Sequence, residues 1–336
     1  LTFLDARRAR AFDAAMPEEL QVPGHLTVAN ADFGRALAVV EGRIVPLAEA
    51  RVPVRDLGLM YADMTYDVVH SWRGGFFRLD DHLDRFLASC AGLRLDPGHD
   101  REGLRRILGE LLRRSGLPDT LVYFACTRGL AVPGTRDPTR SRNSFFATVT
   151  PLILRGQPDE MRRGLHATLA TGIARIPEAA VNPHWKNSHW GDFVRATFAA
   201  KDSGHDVPIL LATDGAVAEA PGFNVVALVE GTLVSPHRGV LEGISCRTMM
   251  EIARDLRIPA RYGRLMPEEL LAAEEVFLTA TSCGLYPVTR IDGRPVGAGV
   301  PGPVTTRLLN TYYERKNAGW HVTPASSIPA PEGIPP

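Results

Sequence analysis

At 336 residues the chain is too long for one ordinary core, and about 150 residues per domain gives roughly two lobes. Hydrophobic residues make up 45% and charged residues 23%, close to the soluble globular average, which excludes a disordered, collagen-like or coiled-coil chain. Lys+Arg 38 balance Asp+Glu 38, so no net field gathers phosphate backbones or anionic lipid, and nucleic acid is not an expected partner.

In chain order, the Glu41-Gly42 pair between Leu37 to Val40 and Arg43 to Val45 predicts a tight hairpin, and Gly74-Gly75 between Val68 to Trp72 and Phe76 to Leu79 predicts a second. Further strands are expected at Leu121 to Cys126 and Phe145 to Val149. Asp80 to Leu93 reads as a helix capped by Asp80 or Asp81, with Leu83, Phe86, Leu87 and Cys90 at i, i+3, i+4, i+7. Another helix is expected near Arg101 to Arg114. These elements suggest an α+β lobe with an antiparallel sheet. Pro151 to Gly164 lacks periodicity and reads as the connection to a second lobe. There the pattern predicts a strand at His166 to Thr171 and a helix from Asp192 to Ala200. Paired strands turn at Asp214-Gly215, and a hairpin joins Val225 to Val229 with Thr232 to Ser235. A helix from Ser245 to Leu256, one at Pro267 to Ala273, a strand at Glu275 to Thr279 and a C-terminal helix around Val304 to Arg315 complete the lobe. The resulting division is an N-terminal extension over 1–29, a small domain over 30–153, a large domain over 154–322 and a disordered Pro/Ser/Ala tail over 323–336.

Cys90, Cys126, Cys246 and Cys283 are widely spaced, without C-x-x-C or a nearby His, and read as reduced packing residues rather than a disulfide framework or a zinc site. No run reaches the ~18 apolar residues of a membrane span, and the first twenty residues mix both charges, unlike a signal peptide. A cytoplasmic enzyme without membrane contact is expected.

Among 38 basic residues only Lys186, Lys201 and Lys316 are lysine. A chain that writes Arg for positive charge makes each Lys a candidate for amine chemistry, which a permanently protonated guanidinium cannot do. Lys201 and Lys316 sit among polar neighbours and read as solvated charges. Lys186 stands between Trp185 and, four residues on, Trp190, where partial desolvation lowers an amine pKa. Three features can hold an anion: Arg85 beside the apolar stripe with His82 and Ser89, the Leu241-Glu242-Gly243-Ile244-Ser245 turn opening a helix, and the hydroxyls of Thr279, Thr281 and Ser282. Each alone is equally a solvated residue, an N-cap or a turn. Together with Lys186 they point to a phosphate-bearing aldehyde, pyridoxal 5'-phosphate (PLP), whose ring nitrogen also wants a carboxylate. Glu219 is the available one, although its spacing alone describes an exposed strand residue.

With these residues the chain resembles the fold type IV PLP-dependent aminotransferases, most closely the (R)-selective amine transaminases. The resemblance runs from about Val39 to Tyr313 through Asp56-Leu57-Gly58, Thr65-Tyr66-Asp67-Val68-Val69-His70, Phe77 to Arg85, Thr127-Arg128-Gly129, Lys186-Asn187, Trp190-Gly191-Asp192, Glu219, Gly222-Phe223-Asn224, Gly243-Ile244-Ser245, Thr281 and Pro287. It implies a two-domain chain, α+β then α/β, of the D-amino-acid aminotransferase-like fold, working as a homodimer. It also implies that Lys186 forms the Schiff base with the cofactor and shuttles the proton. Arg85, Ile244, Ser245 and Thr281 would hold the phosphate and Glu219 would pair with the ring nitrogen. Tyr61, Tyr66, Tyr123, Arg128, Arg136, Trp190 and Ser282 are implied as the substrate pocket. The implied partners are a small-molecule amine donor and a keto-acid acceptor such as pyruvate, in a ping-pong transamination. A D-amino-acid or branched-chain aminotransferase is the alternative, and aminodeoxychorismate lyase a further one. The chain departs from the amine transaminases at Tyr61, where they commonly carry His, and at Pro133, where an acceptor-binding Arg often stands, leaving Arg136 or Arg128 for that task.

Overall fold

The pairs Glu41-Gly42 and Arg73-Gly74 each put two successive residues at positive φ, 50° and 73° in the first and 51° and 81° in the second, the backbone that lets a two-residue turn follow strand twist. The second turn therefore lies one residue earlier than its Gly-Gly sequence suggests. In the computed structural model, which describes residues 19–135 and 137–331, these turns join β1 (Leu37–Val40) to β2 (Arg43–Pro46) and, after the short α1 (Leu57–Tyr61), β3 (Met64–Trp72) to β4 (Gly75–Phe77). Next come α2 (Leu79–Gly92), α3 (Arg101–Ser115), β5 (Thr120–Ala131) and β6 (Ser141–Pro151). The second lobe holds α4 (Pro158–Arg163), β7 (Leu165–Ala174), α5 (Gly191–Asp202), β8 (Val207–Leu211), β9 (Glu219–Ala220), β10 (Phe223–Val229), β11 (Thr232–Ser235) and α6 (Ile244–Asp255). It ends with β12 (Ala260–Tyr262), α7 (Pro267–Leu271), β13 (Glu275–Ala280), β14 (Gly284–Ile291), β15 (Arg294–Pro295), α8 (Pro303–Asn317) and β16 (Val322–Pro324).

The small sheet is antiparallel throughout, in the order β16-β4-β3-β5-β6-β1-β2. Its core is closed by α2 and α3, whose Leu83, Phe86, Leu104 and Leu108 are fully buried, each contributing about 1.5–3 kcal/mol of burial. The expected cap of α2 is not the one found: the residue before the helix is Arg78 at φ 56°, with no side-chain cap. Strand β4 ends one residue earlier and runs straight into the helix, so Asp80 and Asp81 fall inside its first turn, where a carboxylate still favours the N-terminal dipole. The large sheet is mixed, its main path running β12-β11-β10-β13-β14-β7-β8. Along β8 the pleat sends Ile209 into the main core and Leu210 to the other face, where Phe193 and Ala196 of α5 cover it.

Residues 19–29, the described part of the N-terminal extension, pack on the large lobe: Leu26 is buried in its core, and Gln21 N donates to Asn310 Oδ1 at 2.9 Å. Residues 323–331 of the expected disordered tail are ordered. β16 pairs with β4, and Ala325 and Ile328 are buried in the small-lobe core while Arg113 Nη1 donates to both their carbonyls at 2.9 and 2.8 Å. Two apolar anchors amid Pro and Ser carry no periodicity, so composition hides them. All four cysteines are free and buried. Among the described residues no helix is long and apolar enough to cross a membrane.

Lys201 is exposed, as expected, but Lys316 is not a solvated charge. Helix α8 delivers its amine into the seam between the lobes, 3.7 Å from the Trp72 ring centre, 3.2 Å from Tyr312 Oη and 3.4 Å from His70 Nε2. Burial pushes this amine well below the ordinary lysine value, and burial and Lys316 push His70 down. Between the depressed folded value and the usual ~10.4, the unfolded chain binds a proton that the folded chain refuses, so stability rises with pH across that window. Lys316→Met should therefore flatten the dependence of stability on pH, measured by denaturant unfolding at neutral and alkaline pH, and unfold later than the parent at neutral pH.

Candidate active site

The loop before α5 belongs to the large lobe but is fastened to the small one. Thr65 Oγ1 donates to the Lys186 carbonyl at 2.6 Å, Tyr66 N to the same oxygen at 3.3 Å, and Lys186 N donates to Ser89 Oγ at 3.1 Å. Trp185 lies against Gly92 of α2, where an added Cβ would stand 2.1 Å from its ring. With its backbone so held, Lys186 enters a cleft lined by Tyr66, Arg85, Arg175, Trp190, Phe193, Glu219, Gly222, Phe223, Asn224, Ile244, Ser245, Thr279 and Thr281, among others. The Nζ is 4.5 Å from the Tyr66 ring centre. Burial, assisted by Arg85, pushes the amine down to about 8.

Asp67, fully buried on β3, organises the small-lobe wall. It accepts from Arg85 Nε and Nη2, each at 2.8 Å, and lies 2.8 Å from His82 Nδ1. Burial alone would raise the Asp67 carboxyl; the Arg85 guanidinium and His82 override it and hold the group well below the usual carboxylate range. Arg85 Nη1 also donates to the Glu242 carbonyl at 3.1 Å. Three of the five guanidinium N–H groups are thus engaged, and five less three leaves two for a ligand. His82 and Ser89, expected at the margin of the helix, are buried beneath this arrangement.

The large-lobe wall is built on Glu219, which is buried on β9 rather than an exposed strand residue. Burial raises its carboxyl; Arg175 opposes this, its Nε donating to Oε1 at 2.9 Å while its Nη1 donates to Asp192 at 2.6 Å. Arg175 escaped the sequence reading because nothing local distinguishes one arginine from the rest of an arginine-rich chain. At the far end, Gly243 precedes α6 without a side-chain cap, leaving the first N–H groups of the helix open to an anion. Asn224 Nδ2 braces this turn through the Leu241 carbonyl at 2.7 Å. The buried Thr279 Oγ1 has no hydrogen-bond partner among the described residues.

The expected substrate residues separate. Tyr66 and Trp190 line the cleft. Tyr123 stacks on Tyr66 at 5.1 Å, one ring farther out. Tyr61, 56% exposed at the end of α1, and Ser282, in the turn after β13, do not line it. Arg128 is turned to other use: it pairs with Asp63 at 2.8 Å and donates to the Leu93 and Arg94 carbonyls at 2.6 and 2.7 Å, so its place in the substrate pocket is not supported by its contacts. Arg136 lies outside the described residues. A roomier cavity, about 920 Å³ near Arg106 and Arg142 on the small lobe, contains none of the candidates. The cleft at Lys186 is tighter, about 80 Å³, but it alone gathers the desolvated amine, the buried carboxylate and the open helix start, and chemistry decides over size.

Residues 64–291 match the amino-transferase class IV family. The chain belongs to the class IV aminotransferases. A D-alanine aminotransferase of Listeria innocua is 28% identical over 284 residues, 82% of this chain and 94% of its own. A branched-chain amino acid aminotransferase from T.th., solved with pyridoxamine 5'-phosphate, superposes with a TM-score of 0.80 at 26% identity, covering 86% of this chain and 98% of that one. Another, from Thermoproteus uzoniensis with norvaline, gives 0.78 at 28% identity over 86% and 99%. The cofactor of this aminotransferase is PLP, and the residues present fit it: an unpartnered buried hydroxyl and an uncapped helix start for a phosphate, a buried carboxylate for a ring nitrogen, and a lysine whose amine loses its proton readily.

Because only the neutral amine attacks an aldehyde, uptake of PLP by the cofactor-free aminotransferase should speed up as pH rises through about 8 and level off above it, followed by absorbance. Lys186→Ala should take up no covalent cofactor and show no turnover. Asp67→Ala, which leaves Arg85 without its buried carboxylate, should cost about 3–5 kcal/mol of stability in denaturant unfolding.

Proposed function

We propose that this aminotransferase moves the amino group of a primary amine, (R)-configured, to a keto acid such as pyruvate in two successive half-reactions. Bound in the cleft, the cofactor supplies an aldehyde that takes up the amine and a ring that withdraws electrons from the substrate carbon. Lys186 Nζ would carry the cofactor and, as a free amine, would be the base placed to take and return the substrate's α-proton. Its depressed affinity for protons suits it to both taking and returning one near neutral pH. Glu219 keeps the ring nitrogen protonated, with Arg175 and Asp192 fixing its orientation. The remaining N–H groups of Arg85, the N–H groups of Ile244 and Ser245, and the hydroxyls of Ser245 and Thr281 hold the phosphate. Tyr66, with its phenol pushed up to about 12 chiefly by burial, stays protonated and walls the substrate pocket.

The observation that carries the donor class is the state of the arginines. Arg85 is matched to Asp67 and Arg175 to Glu219 and Asp192. Neither guanidinium in the cleft wall is left to require a donor carboxylate, and recognition falls to the faces of Tyr66, Trp190, Phe193 and Phe223. An amino-acid donor is the second reading, favoured by relatives named D-alanine and branched-chain aminotransferases. A homodimer is part of the same reading, supported by Val54, Leu59, Met60 and Tyr61, all more than half exposed on and beside α1; light scattering should then give twice 36.6 kDa.

With pyruvate as acceptor, (R)-1-phenylethylamine should be the faster donor against its (S)-enantiomer, D-alanine and L-leucine, read as alanine or ketone formed. A preference for D-alanine or L-leucine would move the assignment to the amino-acid enzymes, and pyruvate release from aminodeoxychorismate would move it to the lyase.

A further inference from the structure

Arg155 lies in the six-residue link between β6 and α4, and its charge is not committed as those of Arg85, Arg175 and Arg128 are. Among the described residues it has no ion pair and no hydrogen bond; its contact is with a ring, the guanidinium carbon standing 5.0 Å from the Phe223 centre. Stacked in this way a guanidinium keeps its edge free for a planar, two-oxygen ligand. The nearest acids of the same groove are engaged: Glu160 accepts from Gln157 N at 2.9 Å, and Asp206 pairs with Arg163 at 3.0 Å.

Its position ties this edge to the reaction. Phe223, Trp190 and Phe193 form a shared wall: one side is the cofactor cleft, the other a groove of about 510 Å³ that Arg155 lines. Gly222, at φ 79°, lines the cleft beside that wall. A Cβ there would begin 3.5 Å from Trp190 and 3.6 Å from Arg155 Nη1, so the guanidinium stands within van der Waals reach of a residue of the cleft lining.

We propose that Arg155 binds the carboxylate of the keto-acid substrate at the lip of the cofactor cleft. This rests on the aminotransferase reading and adds to it a residue that recognises the acid partner. Because the side chain is exposed, its contribution is that of a solvent-screened, charge-assisted contact, about tenfold in affinity rather than thousands.

The test uses the PLP-loaded enzyme, first converted to its aminated form, with pyruvate or the carboxylate-free propanal as acceptor. In Arg155→Met, KM for pyruvate should rise about tenfold while kcat changes less than about threefold, and the propanal reaction and the cofactor absorbance should stay as in the parent. Arg155→Lys, which keeps the charge, should recover part of the loss. An unchanged KM for pyruvate, or an equal fall with both acceptors, would overturn the proposal. The comparison concerns acceptors only, so a parent that rejects carboxylate-free amines would refute the donor assignment and leave this outcome readable.

Discussion

Lys186 is placed by the hydrogen bonds of its own backbone. Its carbonyl takes hydrogen bonds from Thr65 and Tyr66 of β3, and its N–H is held by Ser89 of α2, so a residue encoded in the large lobe is sewn to the small one. The side chain enters the cleft. Desolvation of the amine, which makes it a nucleophile near neutral pH, follows from this attachment rather than from any one neighbour.

Around that amine the two lobes supply matched charges. The small lobe contributes Asp67 with Arg85 and His82; the large lobe contributes Glu219 with Arg175 and Asp192. A buried ion without its partner costs several kcal/mol, so each pair fixes the other's rotamer, and the cleft keeps its shape. Arg85 extends the link by reaching the Glu242 carbonyl just before α6. The same matching removes these arginines from competition for substrate, which is why an arginine outside both walls matters.

Much of this was legible in the sequence. The hairpin pairs, β10 with β11 among them, and the apolar stripe of α2 report local physics, and each element was found. Lys186 stood out through scarcity, three lysines among 38 basic residues, and Glu219 through its position after a turn. Arg175 offered no such contrast. Lys316 was misread because polar neighbours in sequence say nothing about what a helix packs against. The 323–328 segment was misread because a short strand followed by two buried anchors is shorter than any period. Arg128 kept a motif's spelling, but its donors are occupied by Asp63 and two carbonyls, a fact of tertiary contact that spacing cannot express.

The central claim is that one amine of three bears the cofactor. Reduction of the PLP-loaded protein with borohydride, digestion and peptide mass spectrometry measure it directly. The phosphopyridoxyl mass should sit on Lys186 and be absent from Lys201 and Lys316; a label on either of those, or no stable label at all, would contradict the account.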